Sequence, residues 1–137
     1  MGDFSKYHKV GKTTNTVTYT IESDPDILII VPLEGTMDTA QDARENVAYY
    51  HEYARSLGRP IGSVVIMSNM LAQEPEARRA YAGIDPKLVF GAGLVVESAL
   101  SRALGSFFVG LSRPAAPTKL FDSVDNAVEW LKTMRPK

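Results

Sequence analysis

The chain has no cysteine, one tryptophan, two histidines and no surplus of either charge: 15 lysines and arginines face 16 aspartates and glutamates across 137 residues. Without cysteine there is no disulfide, no thiolate metal site and no thiol nucleophile, a composition compatible with a reducing compartment. The formal net charge of -1 gives no general pull toward nucleic acid or anionic lipid, so no nucleic-acid partner is expected. No run approaches the ~20 apolar residues of a membrane helix. The N-terminus also lacks the charged start and apolar centre of a secretion signal, so the expected location is cytoplasmic. Met1-Gly2 opens as a myristoylation signal would, but Lys6 stands where that pattern wants Ser or Thr. HExxH, GxGxxG and GxxxxGK[ST] are all missing, and neither His8 nor His51 has a nucleophile, carboxylate or second histidine at a useful spacing. No catalytic residue, metal site or cofactor is therefore expected.

What is present is an ordinary globular composition, 45% apolar and 23% charged, in a chain of single-domain length. The stretch from Leu88 to Leu111 organises it. An unbroken apolar run ends at Glu97 and Ser98, after which Leu100, Leu104, Phe107, Phe108 and Leu111 follow helical spacing. A buried strand thus feeds a helix, with Ser98 as N-cap. Gly91, Gly93 and Val95 fall on one strand face, and Phe90, Ala92, Leu94 and Val96 on the other. Two glycines on one face call for very close packing there.

The remaining segments follow in order. Residues 1–15 read as a flexible lead-in, or at most a short extra strand, ahead of a domain over 16–137. Thr16 to Glu22 alternates as a strand, Ser23 to Asp26 is a turn, and Ile27 to Leu33 is apolar at nearly every position, so both its faces should be covered. Thr39 to Leu57 carries Ala40, Ala43, Val47, Tyr50, Ala54 and Leu57 on one helical stripe. Thr39 and Asp42 suit a capping box, with Thr36 and Asp38 as other possible caps, and Gly58 with Pro60 supplies the stop. Ile61 to Met67 is a third buried strand, Ser68 to Gln73 a loop, and Pro75 opens a short helix with Ala77, Ala80, Tyr81 and Ile84 inside. After SRPAAP, Thr118 to Phe121 is a short strand, and Val124, Ala127, Val128, Leu131 and Met134 are the buried side of a last helix. The class is α/β: a mostly parallel sheet of about five strands with an N-terminal hairpin and four helices.

The segments VVESALSRALGSFF, LSRPAAPTKLF and AVEWL resemble the STAS family, in its SpoIIAA-like (STAS/SEC14-like) branch of small bacterial proteins. The likeness lies in a strand ending before Ser-x-x-Ser-Arg, a Pro-rich turn, a short strand ending in Phe121, and a helix with Ala127, Trp130 and Leu131. It implies a SpoIIAA-like fold and a regulatory module. STAS domains that antagonise anti-sigma factors present a phosphorylatable Ser or Thr where the helix after the third strand begins. Here that helix starts with Gln73, Glu74 and Pro75 and Ser68 lies several residues too early, so no phosphoserine switch is expected.

Helix starts at the carboxyl ends of parallel strands favour anions, which draws attention to Ser98, Ser101 and Arg102. The simpler reading is a cap, with Arg102 pairing to Glu97 or a nearby loop. Tyr49 and Tyr53 suit rim packing or an aromatic patch, and Met67, Met70 and Leu71 suit core or a hydrophobic opening. Two functions follow. The first is a non-enzymatic regulatory or scaffolding module that binds a protein partner or itself through Ser68, Asn69, Arg78, Arg79 and the start of the Ser98 helix. The second is a module holding a small anionic or lipid-like ligand at Ser98 and Arg102, near Met67 and Met70.

Overall fold

Three apolar runs, none able to leave a face in water, pair side by side at the centre of a six-stranded sheet, whose strands begin, in spatial order, at His8, Thr16, Asp24, Ile61, Val89 and Thr118. The computed structural model describes residues 4–136, so the Met1-Gly2 start lies outside the described residues. Strands β1 (His8–Lys12), β2 (Thr16–Ile21) and β3 (Asp24–Pro32) are antiparallel, while β3, β5 (Ile61–Ile66), β7 (Val89–Val95) and β8 (Thr118–Phe121) are parallel. Of the two readings for the N-terminal segment, the extra strand forms. Its start is anchored by Phe4, stacked on Tyr19 at 5.4 Å. Tyr7 packs with Phe4 on this side of the sheet, and Val10 on the other.

The turn expected over 23–26 is confined to Glu22 and Ser23. Ile21 pairs with Asp24 and Thr20 with Leu28, so Pro25 to Ile27 bulge out of the ladder, where a missing N–H costs nothing. Arg135, just beyond the last helix, fixes this corner. Its Nε donates to Asp26 Oδ2 at 2.7 Å and its Nη2 to Asp24 Oδ1 at 2.9 Å. Asp26 is buried, so removing this cation would leave its carboxylate only the looser Arg59, at 4.0 Å. The Asp24 carboxyl is held below its ordinary value, first by the Ser23 hydroxyl and then by Arg135 and Lys132. An acid with a lowered folded pKa stabilises the fold above its unfolded value and loses that contribution on acidification. Arg135→Ala should therefore cost about 2 kcal/mol at neutral pH, between a surface and a buried pair. The deficit relative to the wild type should shrink below about pH 4 in urea titrations. A pH-independent deficit would contradict this assignment.

Helix α1 (Ala40–Leu57) has the expected capping box, Thr39 with Asp42, and ends at Gly58 with φ 80°. Helices α2 (Pro75–Ala82), α3 (Ala99–Phe107) and α4 (Val124–Met134) follow, α3 running on as a π-helical turn to Ser112. The segment expected as a loop over 68–73 holds a 3-10 turn and a strand, β6 (Met70–Gln73), which pairs in parallel with β4 (Thr36–Asp38) as a separate ribbon. Strands of three and four residues are too short to show a period-2 pattern.

The sheet's two faces are filled differently. Helix α4, with Phe4 and Tyr7 beside it, covers one, where Ile27, Ile29, Val64 and Val95 meet Ala127, Val128 and Leu131. The two glycines are spent here as anticipated: a Cβ on Gly93 would lie 2.9 Å from that of Ala127, and one on Gly91 3.1 Å from Leu131 Cδ2. Phe90 joins this face instead of the opposite one. Ile61 pairs with Val89 but Gly62 with Gly91, so Phe90 is an extra residue and the alternation slips by one. Helices α1, α2 and α3 cover the other face, against Leu28, Ile30, Val89, Leu94 and Val96.

Candidate functional site

The carboxyl ends of β5, β7 and β8 open on a surface groove of about 680 Å³ that brings together Ser68, Asn69 and Ser98. Ser98 and Ser101 cap α3 reciprocally: Ser98 Oγ accepts from the Ser101 amide at 3.0 Å, and Ser101 Oγ accepts from the amides of Ser98 and Glu97 at 2.9 and 3.1 Å. Arg102 donates to Asp122 at 2.9 Å, which settles its partner as a neighbouring loop. Glu97, Asp122 and Asp125 also line the groove, opposed there by Lys6. An anion would meet three carboxylates and a guanidinium already neutralised. Asn69 is committed to the fold, its Nδ2 donating to the Pro32 carbonyl at 2.9 Å. Arg78 and Arg79 stand apart on α2, Arg78 donating to the Gln73 carbonyl at 3.0 Å and Arg79 paired with Glu76.

Tyr53 donates to the Pro25 carbonyl at 2.7 Å, and Tyr49 fills the space a Cβ on Gly11 would need, so both pack the rim. His51 Nε2 accepts from the Asp85 amide at 3.1 Å, which requires a neutral ring; burial and then Arg55 lower its pKa. Among the described residues no three His, Asp or Glu side chains converge as a metal ion would need.

A second site lies inside, between the sheet and α1 to α3. Ser63, Ala92 and Thr118 are paired neighbours on β5, β7 and β8, all facing this side. Three small side chains in a row leave a hollow floor where Leu or Ile would fill the space. Above it is a cavity of about 70 Å³ lined mostly by apolar side chains, Met67 and Met70 among them, while Leu71 points outward. One end is polar. Asp38, buried just before the cap of α1, accepts from Asn15 Nδ2 at 3.0 Å, Tyr81 Oη at 3.1 Å and Gln73 Nε2 at 3.1 Å. Asn46, fully buried, donates to Asn15 Oδ1 and to Tyr81 Oη, both at 2.9 Å. Burial raises the pKa of Asp38 against the pull of these donors, and the N-terminus of α1 lies adjacent to offset the charge.

Residues 19–135 match the family model described as a domain of unknown function, DUF7793. The chain belongs to that family. An uncharacterised protein of the DUF3478 family from Shewanella loihica PV-4, with a SpoIIAA-like fold, superposes with a TM-score of 0.56 over 96% of this chain and 98% of its own, at 13% identity. At that identity the likeness shows the fold alone, and the fold is SpoIIAA-like, as the motifs around Ser98 and Trp130 imply. No curated protein matches the sequence.

In this DUF7793 chain the exposed large apolar residues fall on neighbouring elements. Among the described residues they are Leu33, Met37, Leu71, Leu100, Phe107 and Leu111. The first three lie on the β4-β6 ribbon and the turn leading into it, and the others on α3, which packs beside β6, and on its π-helical continuation, which packs beside α2. Arg78 reaches across from α2, its guanidinium 6.0 Å from the Phe107 ring centroid. Leu100, Phe107 and Leu111, which share the helical spacing of Leu104 and Phe108, are exposed. Ser101, Gly105 and Phe108 are buried instead, and Gly105 lets the helix sit on Val96 and Leu120.

Proposed function

We propose that the protein is a cytoplasmic, non-enzymatic regulatory or scaffolding module that docks on a partner protein through the exposed face of the β4-β6 ribbon and α3. The observation behind this reading is that exposed large apolar side chains lie on two elements packed against each other, Leu71 on β6 and Leu100 and Phe107 on α3, with Arg78 against Phe107. Water-exposed apolar side chains gathered on one surface are what a protein interface uses, whereas scattered ones need no explanation. This face overlaps the surface expected from the sequence, which joins residues 68–73, α2 and the start of α3. No phosphoserine switch is included. At the start of α2, Gln73 donates to Asp38, and Glu74 accepts from the Ala40 amide at 2.8 Å, so these positions splice α2 to α1. Among the described residues no helix is long and apolar enough to cross a membrane.

Photocrosslinking amino acids placed at Leu71, Phe107 and, as a control, the exposed Glu129 on α4 would test the docking face in native cells. Positions 71 and 107 should give the same discrete product, severalfold above position 129. Equal labelling at all three would contradict the proposal.

A further inference from the structure

One atom at the polar end of the cavity has nothing to bond to. Gln73, which lines the cavity and donates to Asp38 through its Nε2, holds its Oε1 buried without a hydrogen-bond partner among the described residues. A buried acceptor without a donor costs on the order of 1–3 kcal/mol, so such groups are retained where something else meets them. The cavity holds one carboxylate, Asp38, and no lysine, arginine or histidine lines it. Three neutral donors reach that carboxylate, which leaves a lone pair open, and beyond the partial charge of the α1 N-terminus no side-chain cation meets its charge in the cavity. The floor and walls are apolar: Ile30, Val65, Val89, Leu94 and Phe108. One wall, through Pro114 and Ala116, is neither helix nor strand, and it follows a π-helical turn and Arg113, a non-glycine residue at φ 48°. π-Helical turns and strained residues of this kind gather at functional sites.

We propose that this cavity is a binding site for a small aliphatic amine, with its ammonium group at Asp38 and its alkyl body over the Ser63, Ala92 and Thr118 row. An ammonium supplies the donors and the positive charge that this end lacks, while an alkyl chain matches the rest. A carboxylate ligand would set a second negative charge beside Asp38, and an alcohol would bring it no positive charge. The site is separate from the docking face and stands whether or not that face binds a partner.

The test is titration of the full chain with n-hexylamine, n-hexanol and hexanoate, followed by amide and methyl NMR at pH 7. Hexylamine should bind saturably and at least about tenfold more tightly than either of the others, shifting Val65, Val89 and Leu94 methyls. Asp38→Asn should remove the preference for the amine and leave hexanol unchanged. Because that substitution disturbs a buried network, Ala92→Val supplies an independent variant: it fills the floor away from Asp38 and should weaken hexylamine by about tenfold or more. Binding of hexanol or hexanoate as tight as the amine, no saturable binding of the amine, or full amine affinity in Ala92→Val would each overturn the proposal.

Discussion

Gly93→Val should destabilise the protein by about 3 kcal/mol, near the upper end for an overpacked core. Central strands ordinarily favour valine over glycine, by up to about 1 kcal/mol, so intrinsic propensity predicts the opposite sign. The reason for the reversal is local. A Cβ at this position would lie 2.9 Å from Ala127 Cβ and 3.3 Å from the Phe121 ring, and neither neighbour is the free end of a flexible chain. Helix α4 would have to lift off the sheet, taking Leu131 away from Gly91 and Gly62, where it lies 3.1 Å from the Cβ position of each. Urea unfolding measures this directly, as a fall in midpoint with little change in slope. A loss under about 1 kcal/mol would mean that α4 is not seated this closely.

Asn46→Ala should cost a similar amount, about 3 kcal/mol, by a different route. Asn46 is fully buried and joins three elements through its amide: the Thr13 hydroxyl donates to its Oδ1, and its Nδ2 donates to Asn15 and Tyr81. Truncation leaves Asn15 Oδ1 without its donor and loosens the two groups that hold Asp38, Asn15 and Tyr81. The neighbouring Val47→Ala, at a half-buried position, is the control and should cost about 1 kcal/mol or less. Equal effects at 46 and 47 would show that the network contributes no more than ordinary packing.

Features written within one turn or one strand were legible in the sequence. Thr39 with Asp42 and Gly58 marks both ends of α1, Ser98 marks the start of α3, and the strand over Thr118–Phe121 is found where the Pro-limited loop ends. The close approach at Gly91 and Gly93 also followed from two missing side chains on one face. Features that depend on register across the sheet were not legible. Ser63, Ala92 and Thr118 are far apart in the chain, and only pairing makes them a row. Phe90 changes face because β7 has one residue more than β5 at that point, which no alternation pattern contains. Asn46 falls three residues after Ala43 on the buried stripe, a hint that this stripe holds a polar group, but Val47 competes for the same place in the pattern. The exposed stripe of α3 is the inverse case: helical spacing identifies an apolar face without saying whether anything covers it.

The central claim is that α4 is seated tightly on one sheet face while the face beneath α1 to α3 is left hollow. Thermal unfolding of Ala92→Val beside Gly93→Val, neighbours on one strand, tests it most directly. If the claim holds, valine at 92 enters the cavity and leaves the melting temperature unchanged or raised, while valine at 93 lowers it by about 10 °C. Comparable losses at both positions would contradict it.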